Sequence, residues 1–489
     1  MNVTDDQIKK IVDRVVEKLA ANGAADGSQP SAPGGPFANE SRPVAGSALG
    51  SASGERGCFP DIDSACQAAK KAFSDYRDVP VKQRKKIIAA IREICTDHLP
   101  ELARLAVAET GLGRYEDKLK KNRLVIEKTP GVEDLESEAF TGDDGLTLQE
   151  RAPFGVIGSI TPCTNPSETI ICNGIGMIAG GNAVVFNPHP SARKISVFAV
   201  DLLNQAVISE GGPPDLFTTV ADPTIESAQY LMKHPDIRLL VVTGGPAVVS
   251  AAMKSGKRVI AAGPGNPPVV VDESADLEKA AREIVASASC DNNIICVVEK
   301  EIIVTAAAAA GLKKALLLAG AVELGGHQAR LLEKVILSWD GLPNKAWVGK
   351  DIQLILQQIG MEVPADKRLA IVETGADHPF AREEMLMPVL PFICVRDCAA
   401  AIELAYRLEN GCFHTAVIHS RNIDSMHRMA KKMNTTIFVK NGMALAGLGF
   451  GGEGFTSFTI ASPTGEGLTT ARHFTRMRRC TLSGYFRIV

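Results

Sequence analysis

Residues 154–190 read FGVIGSITPCTNPSETIICNGIGMIAGGNAVVFNPHP: a short apolar run, a turn bracketed by prolines, a helical stretch and a second apolar run that again stops at proline. FGVIGSITP and NAVVFNPHP are too short for helices and rich in β-branched residues, so they predict buried strands. The rhythm continues in DLFTTVAD (215–222), IRLLVVTGG (237–245) and RVIAAGPGN (258–266). Strands that are apolar throughout and alternate with helices predict a parallel, doubly wound α/β sheet covered on both faces.

Outward from this unit, a second α/β stretch begins at Pro267, with strands expected at PPVVVD, EKEIIVT, RLAIVET, LPFICVRD and HTAVIHS. Upstream, the chain is helical from about Asp61, with Pro80 and Pro100 as punctuation. EAFTGDDGLTLQER (138–151) and the tail TLSGYFRIV (481–489) are β-rich and are candidates for pairing between subunits. The expected organisation is one α/β unit at 58–137 and 152–265, a second at 266–460, and an arm at 138–151 and 461–489.

Residues 4–20 place Ile8, Ile11, Val12, Val15, Val16 and Leu19 on one helical face, with Thr4 and Gln7 spaced as a capping box. The stretch 21–57 is rich in Ala, Gly, Ser and Pro and has the composition of a flexible tether. An amphipathic helix (1–20) on a tether needs an apolar partner elsewhere: another copy, a second protein or a membrane surface.

At 489 residues the chain is long enough for two or three folded units. Its 53 Lys and Arg against 56 Asp and Glu argue against a nucleic-acid partner held by a basic surface. No run reaches the roughly 18 apolar residues of a spanning helix, and the first residues lack a secretory apolar core, so the cytosol is expected. Eleven cysteines without CxxC pairs predict neither a disulfide framework nor a metal site.

Three segments carry chemistry. CDNNIICVVEKEIIV (290–304) holds two cysteines in a helix-to-strand loop, where catalytic groups are usually displayed, and position favours Cys296 over Cys290 as nucleophile. GSITPCTNPSET (158–169) is a strand ending in a turn that exposes Asn165, whose amide is able to donate to an oxyanion. VTGG (242–245), followed by a helix, is a favourable place for a dinucleotide phosphate, although Pro246 removes one donor.

Taken together and in this order, these pieces resemble the aldehyde dehydrogenase superfamily from about Asp61 onward, and within it the CoA-acylating branch of bacterial microcompartments. The resemblance implies an aldehyde dehydrogenase-like fold, with a Rossmann-type cofactor domain, an α/β catalytic domain and a β-rich oligomerisation arm. It implies NAD as cofactor, coenzyme A as co-substrate, and a short-chain aldehyde as substrate, with propionaldehyde first and acetaldehyde second.

It makes Cys296 the nucleophile, with Asn165 and the Cys296 backbone N–H holding the oxyanion. His414 matches a histidine of the acylating branch and is expected either to act on the incoming thiol or to be simply packed. Cofactor contact is implied for Thr161, Pro162 and Gly263. The loop FNPHPSA (186–192), with Asn187, His189 and Pro190, matches the adenosine end; Thr243, Gly244 and Gly245 match the pyrophosphate and nicotinamide; Glu384 in EEMLMPVLPF matches the ribose. The family's Phe and Gly in that last stretch are Leu386 and Met387 here.

Ala262, in IAAGPGNPPVVV, stands where hydrolytic members carry the glutamate that activates water. Losing that base weakens hydrolysis by roughly 10²–10⁴-fold, whereas a thiol nucleophile needs less help. The N-terminal helix and tether resemble encapsulation peptides, which implies a cytoplasmic microcompartment and a shell or cargo partner; separately, the β-rich arm leads to the expectation of a homo-oligomer, either dimer or tetramer. The competing expectations are a hydrolytic, acid-forming enzyme and a non-catalytic cargo or scaffold protein.

Overall fold

The computed structural model describes residues 56–488. The amphipathic stretch 1–20 and nearly all of the tether 21–57 lie outside them. In chain order the strands are β1 (Cys58–Phe59), β2 (Glu138–Gly142), β3 (Gly145–Pro153), β4 (Val156–Thr161), β5 (Ala183–Pro188), β6 (Phe217–Val220), β7 (Ile237–Thr243) and β8 (Arg258–Ala262). They are followed by β9 (Pro268–Val271), β10 (Glu301–Thr305), β11 (Ala321–Leu324), β12 (Leu369–Glu373), β13 (Val389–Val395), β14 (Thr415–His419) and β15 (Ile437–Lys440). The last three are β16 (Ile460–Ala461), β17 (Gly467–Leu468) and β18 (Thr475–Ser483).

Two parallel sheets result. The first runs β1-β6-β5-β4-β7-β8 and the second β11-β12-β13-β10-β9-β14-β15. In the second sheet, alternate residues feed opposite faces, as the two-residue period of a strand requires. Val269 and Val271 of β9, with Ile302 and Val304 of β10, enter the largest core. Val270 and Ile303 enter a second core with Ala416 and Ile418 of β14. Two buried faces explain why these strands read as uninterrupted apolar runs.

The first sheet has a switch point at β4. From β4 the chain moves to β5 and β6 on one side, then returns to pair β7 against the other edge of β4, with Ile160 opposite Val242. Such a reversal opens a crevice beyond the carboxyl ends of the strands, where ligands of this architecture lie. Thr161 and Thr243 end the two strands there.

The 138–151 hairpin forms as the sequence predicts, with β2 and β3 antiparallel around a two-residue turn. Its partner strand, β18, is displaced from expectation. It pairs along Thr475–Ser483 with β3 and shares only three residues with the 481–489 tail, because β3 extends to Pro153 and offers its ladder that far. Among the described residues, no helix is long and apolar enough to cross a membrane.

Candidate active site

The helix Leu277–Ala288 ends just before a tight turn, Cys290–Asn293, that redirects the chain toward β10. Asp291, Asn292 and Asn293 all have positive φ, at 49°, 54° and 68°. Asp and Asn are among the few side chains that tolerate this region, which accounts for the DNN run. The loop is not displayed as the sequence suggests: all three residues are buried, and their side chains are consumed in fixing the turn.

Asn292 Nδ2 donates to Gly349 O at 2.9 Å and Asp351 Oδ1 at 3.0 Å. Asn293 Nδ2 donates to Ala288 O at 2.7 Å and Glu299 O at 3.0 Å. Asp291 Oδ1 accepts from Arg114 N at 2.8 Å, and a Cβ at Gly113 would sit 1.9 Å from that oxygen, so only glycine fits there. The buried Lys300 closes the loop from below, donating to Asn293 O at 2.7 Å and Asn293 Oδ1 at 2.6 Å. Burial pulls its ammonium down to about 8.

The turn thereby delivers Cys296 to a cavity of about 330 Å³ that also receives Asn165, Pro162, Thr243, Gly244, Gly245, Gly263 and Glu384. The rest of the wall is mainly apolar, with Ile294, Leu386, Leu448, Phe458 and Ile460. Leu386 holds a left-handed backbone (φ 52°), a strain on the order of 1–3 kcal/mol for such a side chain. Cys290 is buried in the large core and is not among the residues lining the cavity.

Cys296 is part-buried, and its thiol is pushed up to about 12, chiefly by burial and then by the nearby Glu384 carboxylate, with Lys300 opposing. Among the described residues, Glu384 is the one carboxylate that lines the cavity; its Oε1 accepts from Gly265 N at 3.5 Å, and burial raises its pKa. At the end of β8, the buried Ala262 carries no acid, and its carbonyl accepts from Gly244 N at 3.1 Å.

Asn165 precedes the helix Pro166–Ala179 and is 7% exposed rather than displayed on a turn. Its side chain makes no cap hydrogen bond. Instead, Lys121 Nζ donates to Asn165 Oδ1 at 2.6 Å, and Asn165 Nδ2 donates to Thr164 Oγ1 at 3.2 Å. Lys121 is the residue that sequence reading passed over. In YEDKLKKNRLVIEK (Tyr115–Lys128) it looks like part of a solvated charged face, yet Asp117, Lys118, Lys121 and Asn122 are all buried.

His414 lies outside the cavity wall. A Cβ built on Gly265 would meet His414 Cγ at 2.8 Å and the Cys296 carbonyl oxygen at 2.9 Å, so the ring and the Cys296 backbone both pack against Gly265. Its Nδ1 lies 2.9 Å from Thr415 Oγ1, its buried Nε2 has no hydrogen-bond partner, and burial lowers its pKa to about 4.

The crevice at the switch point suits a dinucleotide. Thr161 Oγ1 is buried there without a hydrogen-bond partner, and nothing lies within 4 Å of a Cβ built on Gly245, which caps the helix Pro246–Met253. The residues expected at the cofactor's adenosine end are not among those lining the cavity: Asn187 Oδ1 accepts from Ser227 Oγ at 2.6 Å, while His189 and Pro190 are exposed, with His189 Nδ1 accepting from Ser191 N at 3.1 Å.

The aldehyde dehydrogenase family matches residues 9–325. The chain belongs to this family.

Among aldehyde dehydrogenases, it is 53% identical over 441 residues to the acetylating acetaldehyde dehydrogenase of Escherichia coli strain K12, covering 89% of this chain and 94% of that one. The propionaldehyde dehydrogenase of Rhodopseudomonas palustris, solved with bound CoA and an acylated cysteine, is 48% identical with a TM-score of 0.86, covering 88% of this chain and 98% of that one. The propionaldehyde dehydrogenase of the Clostridium phytofermentans fucose utilisation microcompartment is 48% identical with a TM-score of 0.88, over 89% and 100% of the two chains.

Proposed function

We propose that this aldehyde dehydrogenase oxidises a short-chain aldehyde with NAD⁺ and coenzyme A to the acyl-CoA, by way of a thioester on Cys296. The observation that carries this reading is one small, largely apolar cavity holding Cys296 and Asn165, with Ala262 at the position from which hydrolytic members activate water.

Cys296 adds as its thiolate, its proton having left to solvent: the Sγ–C bond forms, the C=O π bond breaks, and the carbonyl oxygen becomes an oxyanion between Asn165 Nδ2 and the Cys296 backbone N–H. Bound NAD⁺ supplies the hydride acceptor that oxidises this adduct to the acyl level. Thr161, Pro162, Thr243, Gly244, Gly245 and Gly263 are assigned to that cofactor, Glu384 to its ribose hydroxyls, and Asn187, His189 and Pro190 to its adenosine end. The CoA thiol then attacks the Cys296 thioester, the same donors hold the second oxyanion, and Cys296 leaves as thiolate.

The family resemblance implies a short aldehyde of two to four carbons, and the largely apolar wall is compatible with an unsubstituted chain. Of the two readings of His414, action on the incoming CoA thiol is assigned to its Nε2, which has no hydrogen-bond partner among the described residues. The aldehyde substrate and the microcompartment setting agree with the relatives. For the finer partners, the stretch 1–20 is assigned to docking on shell or cargo proteins. The arm, with Phe140, Met477 and Leu482 exposed, is assigned to pairing with a second copy.

The test is initial-rate NADH formation from propionaldehyde, with and without CoA, for the native chain and Cys296→Ala. Strict CoA dependence, lost in the variant, is expected. Acid formation at the same rate without CoA overturns the acylating reading, and near-normal turnover in the variant overturns the nucleophile.

A further inference from the structure

Asn165 is useful to an oxyanion only if its amide nitrogen, not its oxygen, faces the cavity. The backbone does not decide this, and the helix start does not either, since the side chain makes no cap bond. Lys121 decides it. An ammonium has donors and no acceptor, so the amide atom 2.6 Å from Lys121 Nζ has to be Oδ1, and Nδ2 is turned the other way.

The same ammonium reaches Glu168 at 3.2 Å, on the helix that Asn165 starts, and contacts Asp291 in the turn that delivers Cys296. Lys118 Nζ completes the group, 3.0 Å from Asp291 and donating to Thr164 O at 2.6 Å. Two lysines and two carboxylates are therefore buried together, the pairing that lets charge be tolerated in an interior, with burial lowering the Lys118 pKa against the pull of Asp291. Burial opposes the Lys121 charge, but Asp291 and Glu168 outweigh it and hold its pKa above the ordinary value.

We propose that Lys121 is a positioning residue for acyl transfer: it fixes the Asn165 amide with its nitrogen toward the oxyanion, and it ties that donor to the nucleophile turn through Asp291. Lys121 is not among the residues that line the cavity. The inference rests on the oxyanion role assigned to Asn165, and the experiment separates the two.

Lys121→Met, Asn165→Ala and the double variant are assayed for kcat and KM with CoA present, with NAD⁺ binding and Cys296 alkylation measured as readouts that a general packing defect would move. Lys121→Met is expected to lower kcat by about 10²-fold, the loss of one oxyanion donor, with both KM values within about threefold. The double variant is expected to be no more than about threefold slower than Asn165→Ala. Lys121→Gln keeps a donor for Oδ1 without the charge and should recover part of the loss.

Coupling of tenfold or more between the two sites supports the proposal. Single losses that multiply in the double variant, or a Lys121→Met enzyme within threefold of the native kcat, overturn it while leaving Asn165 in place. A native kcat for Asn165→Ala overturns both readings. If Lys121→Met does not accumulate as folded protein, the charge-balanced Lys121→Met/Glu168→Gln is read by the same criteria.

Discussion

Replacing Asn165 with Ala isolates the oxyanion donor with little collateral damage. The side chain is 7% exposed and caps nothing, so the helix Pro166–Ala179 loses no terminal hydrogen bond. What is lost structurally is one of the three partners of Lys121 Nζ. Glu168 at 3.2 Å and Asp291 remain, which places the stability cost near the low end of the roughly 1–3 kcal/mol for a buried polar group losing its partner.

The catalytic cost is larger, because the donor acts where charge develops: about 10²–10³-fold in kcat, or some 2.7–4 kcal/mol. The assay is steady-state NADH formation with CoA, alongside the alkylation rate of Cys296 and NAD⁺ binding. Turnover should collapse while alkylation and cofactor affinity stay close to native. A kcat within tenfold of native, or a parallel fall in alkylation, would refute the reasoning, since the first removes the donor role and the second means that the nucleophile turn moved.

Gly265→Ala should cost more than tenfold in kcat and about 1–3 kcal/mol in stability, because the new Cβ meets His414 Cγ at 2.8 Å and the Cys296 carbonyl at 2.9 Å; native kcat and melting temperature would contradict this packing. Glu384→Gln should raise the KM for NAD⁺ about tenfold without changing acid formation in the absence of CoA. A selective loss of acid formation would instead make Glu384 a base for water. With the Cys296 thiol at about 12, against 9.0 for a free thiol, its thiolate fraction below pH 9 is lower by about 10³. Alkylation without cofactor should therefore keep rising up to pH 10, and a plateau at or below pH 8 would show that burial does not govern the sulfur. Glu299, raised by burial from 4.5 to about 7, contributes stability that is fully present below pH 4.5 and lost as pH rises through 7; Glu299→Gln should remove that part of the pH dependence of the melting temperature.

The strands and the family were written in local pattern. Apolar runs such as those at 156–161 and 268–271 have one physical solution, a strand buried on both faces, and Cys296, Asn165 and Ala262 are recognisable from the residues beside them in the chain. The loop CDNN resisted local reading. Polar residues ordinarily go to solvent, yet Asp291, Asn292 and Asn293 are buried because Gly349, Asp351, Arg114 and Lys300 arrive from elsewhere to satisfy them.

The start of β18 at Thr475 was likewise set by its partner, β3, rather than by its own sequence. The placement of His414 behind Gly265 was decided by the meeting of β14 with the chain leaving β8, which no spacing announces. By itself, the sequence determined the strand and helix periods and the family, and it singled out Cys296 as the proposed nucleophile with Ala262 near it, since these depend on residue type and near neighbours. Only the tertiary structure decided which way Asn165 faces and why a lysine on an apparently solvated helix is buried. Charge pairing between Lys121, Glu168 and Asp291 joins residues up to 170 positions apart, and a buried ion is tolerable only once all its partners have been brought together.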